Sequence, residues 1–154
     1  MRFPYRAYRV HGGPAGPEEQ LRPIIPVRAI GLSGDSILYG LLDTGAEMTL
    51  LDESFLERLD VHIGPDDWVG IFGVTGRRVE VPYGTIDFSL ATPRSPAPCR
   101  WRAKVGFVRR PVGQGAIFGY EGFLEHFSAS FHGPRKFVTL TPRPPLPMAC
   151  MPVL

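Results

Sequence analysis

The sequence is poor in cysteine, has no long apolar run and shows no excess of one charge. Its two cysteines, Cys99 and Cys150, lie outside any C-x-x-C spacing, which excludes a disulfide-dense scaffold and a cysteine-held zinc site. A single bridge would be unusual in a chain with this much core, so free thiols in a reducing compartment are the expectation. No stretch approaches the roughly 18 apolar residues of a membrane span, and Met1 to Arg9 lack the apolar centre of a secretory leader. These absences predict a cytoplasmic protein with no membrane partner. With 17 basic against 15 acidic side chains, a formal charge of +2, there is no concentrated positive field, and nucleic acid is not an expected partner. The histidines show no metal-ligand spacing, and there is no G-x-S-x-G, Cys/His nucleophile arrangement or P-loop. Neither a metal nor a cofactor is expected.

What is present suffices for one domain. The chain has 154 residues, 44% of them hydrophobic, enough for a single core and too few for two ordinary domains. Prolines gather before residue 24, in a loop at Pro93, Pro96 and Pro98, and after Thr141. The predicted organisation is an N-terminal arm over 1–22, a folded domain over 23–142 and a Pro-rich tail over 143–154.

Hydrophobic periodicity favours strands. Ile24 to Ile30 and Ser36 to Leu42 are short, apolar and β-branched, and the turn-prone residues between them predict a hairpin. Met48 to Leu51 reads as another strand, followed by Asp52 as a helix N-cap with Phe55, Leu56 and Leu59 on one face. Trp68 to Val74 and Arg77 to Val81 flank a turn at Gly76, and Thr85 to Leu90 alternates with a period of two. Arg100 to Val108, Phe127 to Phe131 and Phe137 to Leu140 complete the strands. The predicted fold class is mostly β, a barrel or folded sheet with one or two short helices.

One segment carries chemistry. Ile37 to Leu42 is an apolar strand that ends in Asp43-Thr44-Gly45-Ala46, and a carboxylate at the end of a buried strand is costly unless something stabilises it. Alone, Asp-Thr-Gly reads first as turn chemistry. Its context changes that reading. Gly73 to Gly76 stand in a glycine-bearing hairpin, and Ala116-Ile117-Phe118-Gly119 is an apolar run ending in glycine before a short helical start.

These three pieces, in this order, resemble the retropepsin family, the single-domain aspartic proteases of retroviral type, over roughly residues 23 to 141. The resemblance implies a closed barrel with a flap hairpin, residues 23–142 forming the protease domain. It implies that Asp43 is the catalytic aspartate, that the Thr44 hydroxyl reaches the partner chain's loop, and that Gly45 leaves room for substrate. Ala46, Glu47 and the flap residues Gly73, Val74, Thr75 and Gly76 would then contact substrate, with Leu42, Ile117, Phe118 and Gly119 supporting the catalytic loop. In retroviral members the glycine of the third motif is followed by an arginine that pairs with an acid four residues after the aspartate. Here those positions are Tyr120 and Glu47, so the charge pair is gone and only a tyrosine hydroxyl is left to reach the carboxylate.

Such chemistry needs two neighbouring carboxylates that share one proton, because like charges at one site cannot both ionise. The chain contains one Asp-Thr/Ser-Gly. The expectation is therefore a homodimeric aspartic endopeptidase with a second copy of the chain as partner and an extended peptide as substrate. The alternative is a catalytically silent peptide-binding or dimerisation module of the same fold. Alanine at position 46 offers the carboxylate no hydroxyl that would favour its charged form. The activity optimum should then be mildly acidic, and a rate profile peaking at about pH 2–3 would contradict this.

Overall fold

The computed structural model describes residues 1–10, 18–73, 76–92, 95–109 and 115–144. Strand β1 (Arg2–Pro4) is followed by a two-stranded ribbon, β2 (Arg6–Val10) and β3 (Glu18–Arg22), and then by the hairpin β4 (Ile24–Ile30) and β5 (Asp35–Leu42). Next come β6 (Leu50–Asp52), the single helical turn α1 (Phe55–Leu59) and a second hairpin of β7 (Trp68–Phe72) with β8 (Arg78–Thr92). β9 (Ser95–Val108), β10 (Gly115–Phe118), a 3-10 turn (Leu124–His126), β11 (Phe127–His132) and β12 (Phe137–Pro142) complete the described chain.

Alternation explains why these residues form strands that close on one another. Along β5, Leu38, Gly40 and Leu42 are buried while Ile37 and Tyr39 are exposed, the period of two expected of a strand with one face inside. β10 lies parallel to β5, with Phe118 opposite Leu42, and antiparallel to β6. β6 runs parallel to β9, β9 antiparallel to β8, and β8 returns to β4 through Ala29 opposite Phe88. The order β4-β5-β10-β6-β9-β8 is thus a closed barrel, and β7 is hydrogen-bonded to the projecting part of β8. Closure removes the open edges that a flat sheet would present. The mostly β, closed-barrel architecture with a projecting hairpin and short helical pieces is the one expected.

The barrel is filled by aromatic side chains. Trp101, Phe88, Phe118 and Phe123 are fully buried; Phe118 stacks on Phe123 at 4.4 Å between centroids, and Trp101 meets Phe88 and Phe123 each at 5.4 Å. The one polar atom of Trp101 is satisfied, its Nε1–H donating to the Gly122 carbonyl at 2.9 Å, as a buried indole requires. Beside the barrel, β1, β12 and β11 form a small antiparallel sheet whose Phe3, Val138 and Leu140 join the same core. Within the segment read as an N-terminal arm, β1 is therefore in the body and the β2–β3 ribbon follows it.

Three sequence readings are corrected. Asp52 does not cap α1: the cap position is Ser54, and the Asp52 carboxylate instead accepts the Ser54 N–H at 3.0 Å. Pro96 and Pro98, read as loop, lie in β9, in the irregular stretch between the Leu90–Cys99 and Thr92–Ser95 pairs where the register with β8 shifts; Pro93 and the tail beyond Pro144 lie outside the described residues. A proline is tolerated at such an irregularity, since its missing N–H has no ladder position to fill. Cys99, read as a free thiol, is disulfide-bonded, and no cysteine among the described residues is free; Cys150 lies outside them. A cross-link restricts the unfolded chain and stabilises the folded one.

No helix among the described residues is long and apolar enough to cross a membrane. The bond at Cys99 is directly checkable. In denatured, unreduced protein Cys99 should resist maleimide labelling and become labelled after reduction, as read by peptide mass; labelling before reduction would contradict it.

Candidate active site

The candidate site begins where β5 ends. The N–H of Leu42, 4% exposed, donates to the Pro23 carbonyl at 3.0 Å, and the N–H of Asp43 donates to the Phe118 carbonyl at 3.1 Å. Strand pairing on both sides therefore carries the backbone rigidly up to Asp43. There the chain turns: the Ala46 N–H donates to the Asp43 carbonyl at 3.3 Å, and the Gly45 N–H donates to Asp43 Oδ1 at 2.9 Å. This is the local side-chain-to-backbone turn that aspartate favours. It fixes one carboxylate oxygen and leaves Oδ2 without a hydrogen bond among the described residues.

A second loop is laced to the first. The Tyr120 N–H donates to the Ala46 carbonyl, the Glu121 N–H to the Glu47 carbonyl and the Thr49 N–H to the Glu121 carbonyl, each at 2.9 Å. The approach is so close that a β-carbon on Gly119 would lie 2.4 Å from the Met48 carbonyl oxygen and 2.7 Å from that of Ala46. Behind the turn, the Phe118 ring occupies the space where a β-carbon on Gly40 would sit, 2.3 Å away. Leu42, Asp43, Ala46, Glu47, Ile117, Phe118 and Gly119 are thus brought together. Asp43 and Ala46 are half-buried, and Thr44, Gly45 and Glu47 are exposed.

The β7–β8 hairpin supplies a different surface. At its tip Gly76 N–H donates to the Gly73 carbonyl at 2.9 Å, and Gly76 adopts φ 71°, the left-handed region natural to glycine. Val74 and Thr75 lie outside the described residues. Val79 and Val81 share one face of β8, and Ile71 and Val69 stand opposite them in register. Val81 is buried and, with Met48 and Leu50, fills the space over Gly106; Val79 is 52% exposed. An apolar face therefore continues from the residues that follow the Asp43 turn onto the hairpin, becoming more exposed toward the tip. The other face carries the exposed Trp68 and Phe72 and the Arg78–Glu80 ion pair at 2.8 Å.

Two features differ from the sequence reading or were absent from it. Tyr120 does not replace the missing charge pair: it is 63% exposed, its hydroxyl makes no hydrogen bond among the described residues, and it meets the Asp43 turn through its backbone. Thr49 is fully buried with no partner for its hydroxyl among the described residues, yet its backbone joins the second loop to β9 by accepting the Gly106 N–H at 2.9 Å. A threonine inside the apolar run Met48 to Leu51 was the available signal. No group of three or more His, Cys, Asp or Glu among the described residues could hold a metal ion.

Among solved structures, the chain is similar to the EIAV protease complexed with the inhibitor HBY-793, at 25% sequence identity and a TM-score of 0.40, covering 64% of this chain and 81% of that one. No family model and no curated protein matches the chain.

The lacing of the two loops predicts a contrast between neighbouring glycines. Gly119→Ala should cost about 3 kcal/mol in urea denaturation, because the obstructing atoms are backbone carbonyls that cannot step aside. Gly45→Ala, whose nearest obstacle is Asp43 Oδ1 at 3.3 Å, should cost about 1 kcal/mol or less. Equal losses would show that the close approach at Gly119 is not what holds the loops.

Proposed function

We propose that the chain is one half of an aspartic endopeptidase, completed by a second copy that brings its own Asp43 opposite the first. The observation that carries this reading is the Asp43 turn itself. Its backbone is held by pairing to Pro23 and Phe118, one carboxylate oxygen is fixed by the Gly45 N–H, and the other, on a half-buried residue, has no hydrogen bond among the described residues. A lone carboxylate so placed can take a proton or give one, but amide hydrolysis needs both acts at one carbonyl. A two-fold axis beside the turn supplies the second group from the same sequence.

In the resulting dyad, repulsion between the carboxylates keeps one proton shared between them. The ionised member takes a proton from water as the water oxygen attacks the scissile carbonyl carbon, and the protonated member gives its proton to the carbonyl oxygen. Collapse of the tetrahedral adduct breaks the C–N bond: the departing nitrogen receives the proton that the dyad took from water, and one hydroxyl of the adduct returns its proton to the dyad as the carbonyl re-forms. Thr44, exposed next to Asp43, would bond across the axis, and Gly45 would lie under the substrate backbone. The peptide would bind as an extended strand between the Asp43 turn and the apolar face of the hairpin. The hairpin, with Gly73 and Gly76 bounding its tip, would then act as a lid. No cofactor enters these steps. The disulfide at Cys99 removes the free-thiol ground for a cytoplasmic location, and the enzyme reading does not depend on compartment.

The silent binding module is the second reading, favoured by Tyr120 and Glu47, whose side chains have no partner among the described residues. Cleavage of a mixed peptide library between pH 4 and 7, run beside an Asp43→Asn variant, separates the two. The wild type should cleave, and the variant should lose at least about a hundredfold in rate while keeping twice the chain mass in solution. Equal cleavage by both would overturn the enzyme reading. A wild-type dimer without cleavage would favour the module, and a monomer at working concentrations would exclude the shared dyad.

A further inference from the structure

Glu47 stands four residues beyond Asp43 on the same turn, exposed, with its backbone fixed by the Glu121 N–H. Its carboxylate enters no ion pair or hydrogen bond among the described residues. Asp35, Glu53, Glu80 and Asp87 are each paired with an arginine; Glu57, Asp60 and Asp66 are, like Glu47, without such a pair among the described residues, but Glu47 is the one that stands on the Asp43 turn. The next chain segment over, tied to the same turn by backbone hydrogen bonds, presents Tyr120 at 63% exposure. An uncompensated carboxylate and an open aromatic ring on two laced loops are the two components that hold an ammonium or guanidinium group, one by charge and the other by its π face. The molecule already uses the second component elsewhere: Lys104 Nζ lies 3.6 Å from the centre of the Tyr83 ring, and Arg2 lies 3.6 Å from that of Phe137.

We infer that Glu47 and Tyr120 select a lysine or arginine side chain in the peptide that lies over Asp43. The inference rests on the proposed peptide site and names its substrate class. Four residues span at most about 14 Å, and the turn at Asp43 shortens that. The basic side chain therefore belongs within about four residues of the scissile bond, at a rise of about 3.3 Å per residue. Two-fold symmetry repeats the preference on the other side of the bond.

The test uses matched peptides that differ only in lysine against glutamine at these positions. Cleavage by the wild type is measured together with binding to the non-cleaving Asp43→Asn variant by fluorescence anisotropy. At low salt the lysine peptide should be favoured about threefold to fivefold in kcat/KM and in Kd, the scale of one exposed charge pair. The preference should shrink in 0.5 M NaCl, roughly the regime where a Debye length of a few ångströms screens such pairs. Glu47→Gln, introduced into both proteins, should bring the ratio to about one. Tyr120→Arg, which sets a cation beside Glu47, should do the same and serves if Glu47→Gln does not fold. Cleavage without a lysine preference, or a preference that survives both substitutions, would overturn this inference while leaving the enzyme reading intact. Lysine-selective binding without Asp43-dependent cleavage would overturn the enzyme reading and support this one. Failure of every peptide to bind or be cleaved would overturn both.

Discussion

Between Gly119 and the carbonyl oxygens of Ala46 and Met48 there is no room for a methyl group, and the rest of the site follows from that closeness. The loop after β10 can reach the turn after β5 only because one residue has no side chain. Once there, Tyr120, Glu121 and Thr49 exchange backbone hydrogen bonds with Ala46, Glu47 and Glu121. Two segments some seventy residues apart in sequence thereby become one platform. Asp43 sits on it with its position set by main-chain pairing on either side, so the carboxylate needs no buried counter-charge to be held in place.

The barrel supplies the rigidity beneath that platform. Phe118, which ends the strand beside Asp43, is wedged under Gly40 and stacked on Phe123, and Phe123 in turn meets Trp101. The Trp101 indole reaches back to the Gly122 carbonyl at the end of the second loop. Aromatic burial and one satisfied polar atom thus connect the centre of the core to both loops. Displacing the platform would disturb close-packed rings, which tolerate little movement.

Much of this was legible in the sequence, for identifiable reasons. The β4–β5 hairpin, the β7–β8 hairpin and the end of β5 at Asp43 could be read because apolar alternation and turn residues are local signals. The parallel pairing of β10 with β5 is not local and no periodicity announces it; the order of motifs implied only that Ile117, Phe118 and Gly119 support the turn. Strand β1 was hidden because three residues are too few to show a period, although Phe3 is part of the core. Pro96 and Pro98 argued for a loop because proline reads as a breaker, and a shift of register between two long strands leaves no local signal. The disulfide at Cys99 could not be inferred from spacing, since which thiols meet is decided by the fold. Tyr120 illustrates the same limit: its neighbour Glu47 was identifiable, but whether the hydroxyl or the backbone makes the connection depends on where the side chain turns.

Strand β8 spans 15 residues and serves two structures at once. Its first half is a limb of the exposed hairpin, and its second half is a stave of the barrel, with Gly84 between them under the side chains of Val61 and Ile63. One continuous strand thus joins the hairpin, paired with β7, to the barrel, paired with β9. A mutation chosen to harden the body along this strand will alter the stiffness of the hairpin as well. In the proposed enzyme, where the hairpin is the lid, thermal robustness and ease of ligand entry would therefore be mechanically linked traits.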